Sequence, residues 1–284
     1  MRKSNLLAVF VIFVSFVVSV SAATTIDPAN PYAYGANIGW INAEGDITHG
    51  AVIGQAFCSG YIYSANCGWI SLGDGSPTDG MGYANNSAGD FGINHDGVGN
   101  LSGYAYGANI GWITFEQIHG QPKVNLITGD LSGYAWSANA GWINLDGIKT
   151  LSIDAGPDID ADNIPDAWEY GHTNTLTALN GGDADGDGVS DVDEYLADTD
   201  PFDDTDYLSI TEFQVNNNTN EVTWPVKITR QYTLQHATAL SNGTSWAETV
   251  TPFIPASGPD VTKSVVCPEK IRFYRIKSAP PLAE

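Results

Sequence analysis

The most regular hydrophobic pattern in the chain is a ten-residue motif that occurs four times in its first half. It reads YAYGANIGWI at 32–41, YIYSANCGWI at 61–70, YAYGANIGWI at 104–113 and YAWSANAGWI at 134–143, at spacings of 29, 43 and 30 residues. In each copy, two short apolar runs flank a Gly/Ser-Ala-Asn-x-Gly segment whose residues favour turns, with Asn suited to left-handed backbone and Gly to positive φ. The pattern therefore predicts four β-hairpins.

Alternation along a hairpin separates its two faces. If the five central residues form the loop, Tyr34 lies opposite Trp40 and Ala33 lies opposite Ile41, so one face is aromatic and the other aliphatic. Preceding segments such as 120–131 supply a further strand, and the insertion 73–100 is interpreted as an extended loop or an extra, degenerate hairpin. Because the repeat is short for a propeller blade, we expect residues 23–150 to form a β-solenoid or a stacked-hairpin sheet.

The aromatic face of the repeat has two main interpretations. Its rings form a buried ladder in the core, as aromatic side chains commonly do. Alternatively, they form an exposed platform that stacks on sugar rings at regular intervals, with protein adhesion as a third use. The solvent exposure of the tryptophans distinguishes a core from a platform; these are Trp40, Trp69, Trp112 and Trp142.

A second β pattern begins at Tyr207. Alternating segments at 208–215, 221–226, 231–237 and 271–276 are separated by Asn, Gly and Pro turns. Val222, Trp224 and Val226 face one way, as expected for a half-buried antiparallel sheet. Residues 207–284 are therefore predicted to form a small β-sandwich, and the whole chain is predicted to be mainly β.

Residues 151–206, between these two regions, are strongly acidic. Of the 33 acidic residues in the chain, 17 fall between Asp154 and Asp206, and that stretch has no Lys or Arg. It would repel itself unless cations neutralised it. A disordered acidic linker is the alternative, but random acidic tracts rarely reproduce one ligand spacing twice.

Two stretches of this segment have the spacing of a calcium loop. Positions 1, 3, 5, 9 and 12 are acidic and position 7 supplies a backbone carbonyl, which suits a cation with six to eight oxygen ligands. The first loop, 158–169, offers Asp158, Asp160, Asp162, the carbonyl of Ile164, Asp166 and Glu169. The second loop, 183–194, offers Asp183, Asp185, Asp187, the carbonyl of Val189, Asp191 and Glu194. Position 6 needs a positive φ, which Gly188 adopts freely and Asn163 adopts with some strain.

The flanks of both loops differ from those of a regular EF-hand. Gly-Pro immediately before the first loop and Gly-Gly immediately before the second forbid an incoming helix. On the outgoing side, 165–170 and 190–197 are predicted to form one or two helical turns, with Pro165 suited to a first turn and Ser190 to a cap.

Together with the following EYLADTDPFDDTD, the two loops resemble the thrombospondin type 3 repeats of exported bacterial proteins over residues 154–206. That resemblance implies two bound Ca²⁺ ions, a structural, spacer-like role, and a reach of Asp198 and Asp200 to a neighbouring ion. In the last region, YTLQHATAL, SNGTSW and RFYRI loosely resemble fibronectin-like or immunoglobulin-like terminal modules, which implies adhesion or display.

The first 22 residues have the layout of a secretory signal peptide: a basic start, an apolar run and small residues up to Ala22. A retained membrane anchor is the alternative. We expect a secreted or cell-surface protein without membrane contact after cleavage. The formal net charge of −22 makes nucleic acid an unsuitable partner, so the expected partner is a polysaccharide or a cell-surface protein; the oligomeric state is not predicted.

Cysteines and histidines give no further site. Cys58 and Cys67 replace apolar residues of other units, and they are either bridged or two buried free thiols. His49, His95 and His119 have no common position in the repeat and are predicted to be surface-turn residues.

No catalytic residue and no cofactor besides calcium is predicted, because the chain has no nucleophile elbow, phosphate loop or Cys/His metal spacing. The sequence favours a secreted, non-catalytic calcium-binding protein with a structural or adhesive role, in which two ions rigidify the joint between β domains. The alternative is a carbohydrate- or cell-surface-binding module that uses the repeat aromatics, with calcium purely structural.

Overall fold

The computed structural model describes residues 24–45, 48–177, 179–216, 218–240, 244–267 and 273–283. The predicted signal peptide, 1–22, lies outside these residues. Within them the protein is mainly β, as the sequence predicted, with two short helices. Neither of these helices is long and apolar enough to cross a membrane.

The first half of the described chain holds thirteen strands. They are β1 Ile26–Gly35, β2 Gly39–Asn42, β3 Val52–Ile53, β4 Cys58–Ser64, β5 Gly68–Gly73, β6 Ile93–His95, β7 Leu101–Gly107, β8 Gly111–Phe115, β9 Lys123–Val124, β10 Leu131–Ser132, β11 Tyr134–Ser137, β12 Gly141–Asn144 and β13 Ile148–Thr150. The four repeat motifs form the hairpins β1–β2, β4–β5, β7–β8 and β11–β12. The predicted register is confirmed, because Tyr34 pairs with Trp40 and Ala33 pairs with Ile41.

The four hairpins close into an eight-stranded antiparallel barrel. Each hairpin pairs with the next, and β12 pairs with β1 through Tyr34 with Asn144 and Gly35 with Ile143. The predicted solenoid or stacked sheet was therefore wrong about the architecture. A sheet of identical, equally twisted hairpins curls in one direction, and closure removes the two edges that an open sheet would leave exposed.

Strands outside the barrel path extend its hairpins. β3 pairs with β4, β13 pairs with β1, and β9 pairs with β10. The insertion 73–100 is mostly loop, but it contributes β6, which pairs with β7.

The aliphatic face of each hairpin fills the barrel interior. The side chains of this face pack in one hydrophobic core: Ala33, Ile41, Ile62, Ile70, Ala105, Ile113, Ala135 and Ile143. An eight-stranded barrel has room for little more than such side chains, and the remaining apolar cavity measures only about 40 Å³. The barrel is thus a packed core and not a ligand container.

The aromatic face points outward on all four hairpins, so the interpretation of a buried ladder was wrong. Its twelve rings are between 39% and 64% exposed: Tyr32, Tyr34, Trp40, Tyr61, Tyr63, Trp69, Tyr104, Tyr106, Trp112, Tyr134, Trp136 and Trp142. We call these rings the aromatic belt. Within a hairpin, the tryptophan packs edge-on against tyrosine, with centroids 4.9 Å apart for Tyr34 and Trp40.

Four asparagines fasten the hairpin turns into a ring. Each Nδ2 donates to the carbonyl of the x residue in the preceding turn: Asn66 to Ile38 (3.0 Å), Asn109 to Cys67 (3.0 Å), Asn139 to Ile110 (3.0 Å) and Asn37 to Ala140 (3.2 Å). Either asparagine or glycine could supply the left-handed backbone of the turn, and the positive φ belongs to the glycine, as at Gly39 with φ 73°. The asparagine side chains link neighbouring units instead.

Cys58 and Cys67 are buried free thiols, as one of the two alternatives expected. Burial raises the pKa of Cys58 to about 12. His95 contradicts the prediction of a surface residue, because it is buried at the end of β6. Its Nδ1 lies 2.9 Å from the Gly54 carbonyl, and the Gly99 N–H donates to its Nε2 at 3.1 Å. Nε2 must therefore be unprotonated, and the ring is a neutral, hydrogen-bonded core histidine. His49 and His119 are exposed.

The acidic segment contains both helices, α1 Asp166–Thr173 and α2 Asp191–Ala197. They match the predicted outgoing turns. Ser190 caps α2 by accepting the Asp193 N–H, whereas Pro165 is the residue just before α1 rather than part of its first turn. The segment has a small core in which Ile164, Leu179 and Tyr195 are buried.

The last region holds six strands: β14 Glu212–Asn216, β15 Thr219–Pro225, β16 Gln231–Ala237, β17 Ala247–Phe253, β18 Asp260–Val266 and β19 Phe273–Ala279. They form two three-stranded antiparallel sheets, in the orders β14-β15-β18 and β17-β16-β19. Both sheets contribute to one buried cluster: Val222, Trp224, Val226, Tyr232, Leu234 and Val265.

Candidate metal centre

The two acidic loops bring their first three aspartates together. One carboxylate oxygen each from Asp158, Asp160 and Asp162 lies within 4.8 Å of the others, and the same holds for the triplet in the second loop, Asp183, Asp185 and Asp187. Like charges at this separation repel strongly in the absence of a cation. The fold therefore holds two groups of acidic oxygens in an arrangement that a positive charge would stabilise.

Positions 9 and 12 of each loop lie in the first turn of the helix that follows. α1 starts at Asp166 and carries Glu169 three residues later, and α2 starts at Asp191 and carries Glu194 at the same offset. Side chains three residues apart lie on one face of a helix. Because each helix starts at position 9, the candidate ligands at positions 9 and 12 stay beside their own loop.

The same hydrogen bonds shape the two loops. Position 9 accepts the N–H of position 2, as Asp166 does from Ile159 (2.8 Å) and Asp191 from Ala184 (2.9 Å). Position 1 accepts the N–H of position 6, and position 5 accepts the N–H of position 7; these bonds join Asp158 to Asn163 (3.0 Å), Asp183 to Gly188 (3.1 Å), Asp162 to Ile164 (2.9 Å) and Asp187 to Val189 (2.7 Å). The Oδ1 atoms of positions 5 and 9 are thus used by the loop itself.

Several of the remaining oxygens are buried without a hydrogen-bond partner among the described residues. They are Asp162 Oδ2 and Glu169 Oε2 in the first loop, and Asp185 Oδ2, Asp187 Oδ2 and Glu194 Oε2 in the second. Every one of them belongs to position 3, 5 or 12. Buried polar atoms are normally paired, so a set of unpaired carboxylate oxygens in each loop points to a cation-binding position.

The position-12 glutamates are the most deeply buried acids of the segment. Glu169 is 0% exposed and Glu194 is 1% exposed. Burial, followed by the charges of Asp185, Asp187 and Asp191, raises the pKa of Glu194 to about 7. Burial also raises the pKa of Glu169, with smaller contributions from the aspartates of its own loop. A full set of ionised carboxylates is therefore costly here without a counterion.

The residues that supply the predicted carbonyl ligands anchor the loops. Ile164 is fully buried in the small core of the segment, and Val189 is half-buried. The predicted positive φ at position 6 is confirmed, with 76° at Asn163 and 95° at Gly188.

Position 4 of each loop also has a positive φ, which was not predicted from the sequence. Gly186 has φ 82°, and Ala161 of the first loop has φ 61°. The only signal available was the glycine at this position in the second loop, because alanine gives no sign of a left-handed backbone.

Asp198 and Asp200 have other partners than an ion. Asp198 Oδ1 accepts from the Trp168 indole at 2.9 Å and from Arg230 at 3.2 Å, and its other oxygen accepts from Thr229. Burial alone would raise the pKa of Asp198, but Arg230 and these hydrogen bonds lower it overall. Asp200 lies 3.7 Å from the His172 ring.

Helix α2 connects the acidic segment to both neighbouring regions. The Tyr195 hydroxyl lies within hydrogen-bond distance of the Gln55 side chain of the barrel, 2.9 Å from its Nε2. Arg230 of the last region is only 5% exposed, and its Nε and Nη2 donate to the Tyr195 carbonyl at 3.1 and 2.6 Å. Tyr195 directly follows Glu194, so the residue that joins the three regions is next to the most buried acid of the second loop. The contacts of Gln55 and Arg230 with Tyr195 could not be predicted from the sequence, since each is a single polar residue without a repeated spacing.

The donor set of each loop consists of oxygen atoms alone, without the nitrogen or sulfur ligands that transition metals prefer. Such a set suits a hard divalent cation. Comparisons of the chain with protein-family models, with curated proteins and with solved structures found no match in any of the three.

Proposed function

We propose that this chain is a secreted, non-catalytic calcium-binding protein in which two Ca²⁺ ions fix the joint between the barrel and the C-terminal sheets. One observation carries the proposal. Five carboxylate oxygens are buried without a hydrogen-bond partner among the described residues, and all five belong to predicted ligand positions. Bound calcium would supply the positive charge that these oxygens lack.

Calcium suits the two loops better than magnesium. Each loop offers five carboxylates and a backbone carbonyl, and calcium takes six to eight oxygens in flexible geometry, whereas magnesium demands a strict octahedron and keeps several waters. We expect dissociation constants on the order of 10⁻⁵ to 10⁻³ M, the range of extracellular modules. The second loop should be the tighter site, because glycine stands at both of its positive-φ positions.

The contacts of α2 support a structural role. Glu194 would be held by the ion, and Tyr195 would then keep its contacts with Gln55 and Arg230. We interpret the two C-terminal sheets as a small β-sandwich, because their buried residues form one cluster, and the acidic segment as a thrombospondin type 3-like spacer. Secretion or display at a cell surface, and an adhesive use of the molecule, complete this proposal.

Isothermal titration calorimetry of the chain without residues 1–22 tests the proposal. We expect two calcium ions per chain, with one site lost in Glu169→Gln and the other in Glu194→Gln. Asp193→Asn is the matched control, because Asp193 is exposed and its hydrogen bonds outside the helix ladder, among the described residues, are to the Ser190 side chain. This variant should keep both sites.

Two results would overturn the proposal. The first is the absence of both a binding heat and a shift in the unfolding temperature at 10 mM calcium, on the order of ten times the weakest expected dissociation constant. The second is calcium binding that neither glutamine variant reduces.

A further inference from the structure

The aromatic belt is an extended apolar surface that the described part of the fold leaves exposed. Exposed aromatic side chains present roughly 100 Å² each when about half of the ring is accessible, so twelve of them expose on the order of 1,000 Å². Single exposed apolar residues need no explanation, but a repeated set of exposed rings with a combined area of this size indicates a binding surface. The barrel does not need these rings for its core, which the aliphatic face fills.

The belt has an open groove at the seam where β12 of the last hairpin meets β1 of the first. The groove measures about 390 Å³ and is lined by Tyr32, Tyr34, Trp40, Asn144, Asp146 and Gly147. Ligand pockets begin at roughly 300 Å³, so it has room for one or two sugar rings. Trp40 is the most exposed ring of the belt at 64%.

The turn after β12 forms one wall of this groove. The Gly147 carbonyl accepts the Tyr32 N–H at 3.2 Å. A Cβ atom on residue 147 would lie 2.2 Å from the Tyr32 carbonyl oxygen, so only glycine allows the turn to approach β1 this closely. The turn thereby places Asn144 and Asp146 beside the rings.

These two residues add hydrogen-bonding groups of opposite kinds. Asn144 Oδ1 accepts the Asp146 N–H at 2.9 Å, and Asp146 Oδ1 accepts the Gly133 N–H at 3.3 Å. The Asn144 Nδ2 donor and the Asp146 Oδ2 acceptor have no partner among the described residues. A donor beside an acceptor matches neighbouring sugar hydroxyls, each of which both donates and accepts.

We propose that this seam groove binds a neutral saccharide, as part of a polysaccharide chain. The aromatic rings would stack on the C–H faces of the sugar, while Asn144 and Asp146 would bond its hydroxyls. An anionic polymer is disfavoured by Asp146 and by the net charge of −22. A quaternary ammonium ligand needs rings that surround it, whereas Trp40 packs edge-on against Tyr34 at 62° in a platform, and such a ligand could not use the Asn144 donor.

The turn sequence that borders the groove has one counterpart in the repeat. The residues after Trp40 read Asn-Ala-Glu-Gly at 42–45, the counterpart of Asn-Leu-Asp-Gly at 144–147, and they follow the hairpin that adjoins Trp69. No such sequence precedes Trp142, since Thr114-Phe115-Glu116-Gln117 stands in its place. Trp142 is therefore the matched control, with the same place in its hairpin and 47% exposure.

Affinity electrophoresis in gels containing a neutral polymer tests the proposal, with calcium present throughout. Hydroxyethyl cellulose, xylan, galactomannan, soluble starch and glycol chitin would each be used as a probe, with alginate as the anionic comparison. At least one neutral polymer should retard the wild type, and alginate should not. Trp40→Ala should weaken that binding about tenfold, as truncation of a central aromatic anchor does, Trp40→Phe should recover part of it, and Trp142→Ala should stay within twofold. Titration with the matching hexasaccharide should give a dissociation constant on the order of 10⁻⁴ to 10⁻³ M.

Three results would overturn this proposal. One is a wild type with the circular dichroism of the folded chain that none of the five neutral polymers retards. Another is equal weakening by Trp40→Ala and Trp142→Ala. The third is a different ligand for the same rings: quenching of tryptophan fluorescence by choline chloride, or concentration-dependent self-association in sedimentation that Trp40→Ala abolishes. Calcium binding would be measured on the same samples, so that a failure of the saccharide proposal can be distinguished from a failure of the proposal on the acidic loops.

Discussion

Ala161 occupies a backbone conformation that glycine adopts at much lower cost. Its φ is 61° at position 4 of the first loop, and Gly186 at the same position of the second loop has φ 82°. The left-handed region destabilises an L-residue by roughly 1–2 kcal/mol. Replacement by glycine removes this strain, but it also raises the entropy of the unfolded chain, which offsets part of the stabilisation. Ala161→Gly should therefore stabilise the folded first loop by about 0.5–1 kcal/mol.

The second loop offers the reverse substitution. A Cβ atom added to Gly186 would have no heavy atom within 4 Å. Gly186→Ala thus introduces no collision, and its cost should be the conformational strain alone. The two substitutions should change the two sites by similar amounts in opposite directions.

Calcium binding would make this strain measurable. In a loop that folds around its ion, the free energy of folding the loop is part of the binding free energy. A change of 0.5–1 kcal/mol corresponds to about a two- to fivefold change in the calcium dissociation constant. Calorimetry of Ala161→Gly in a Glu194→Gln background reports the first loop alone, and calorimetry of Gly186→Ala in a Glu169→Gln background reports the second. Affinity should rise in the former and fall in the latter. Ala184→Gly is the control, since Ala184 has no positive φ and its replacement should not tighten binding.

The proposed strain at position 4 would be refuted by an unchanged or weaker first site in Ala161→Gly. It would equally be refuted if Ala184→Gly tightened the second site as much as Ala161→Gly tightens the first.

Three further predictions concern the fold. Asn109→Ala removes the bond to the Cys67 carbonyl (3.0 Å) and should destabilise the barrel by about 1–2 kcal/mol in urea unfolding; a loss below 0.3 kcal/mol would contradict a structural ring. Burial lowers the pKa of His95, so the unfolded chain takes up the proton first as pH falls through about 6.5, and stability in saturating calcium should decrease from pH 7.5 to 5.5. His95→Gln should lose the decrease in stability that protonation of His95 causes. If stability depends on pH identically in both proteins, His95 is not its source. Arg230→Met leaves Asp198 without its cation and should cost about 3 kcal/mol; the double variant Arg230→Met/Asp198→Asn, measured by the same unfolding, should recover part of it.

The hairpins of the barrel could be predicted because their signal is local. Alternation fixed which residues share a face, and the turn segment fixed the register, so the pairing of Tyr34 with Trp40 followed from counting alone. What alternation could not decide was which face is inside, because both faces are apolar. The choice depends on space: an eight-stranded barrel accommodates Ala and Ile in its interior, whereas twelve Tyr and Trp rings would not fit there. Closure itself depends on the pairing of β12 with β1, a contact between the ends of the repeat that no local pattern records.

The arrangement of the acidic loops was predictable for the same reason. Every candidate ligand lies within a stretch of twelve residues, so spacing alone brought the carboxylates of Asp158, Asp160 and Asp162 together. The strain at Ala161 could not be predicted from the sequence, since it depends on the backbone conformation of the whole loop. The contact of Asp198 with Arg230 could not be predicted either, because Arg230 is distant in sequence and the tertiary fold brings the two together.

The proposed dependence of the joint on ions rests on the small size of the acidic segment. Its helices have 8 and 7 residues, and isolated helices shorter than about 12–15 residues are marginal in water. Among its described residues, the core buries Ile164, Leu179 and Tyr195, with three partly buried side chains packed against them. This is little apolar burial to offset the entropy of ordering the segment. Of the three buried residues, Tyr195 also carries the contacts to Gln55 and Arg230. A cation that neutralises Glu194 would therefore stabilise α2 and, through the adjacent Tyr195, both neighbouring regions, so loss of the ion should loosen the joint before it affects the closed barrel.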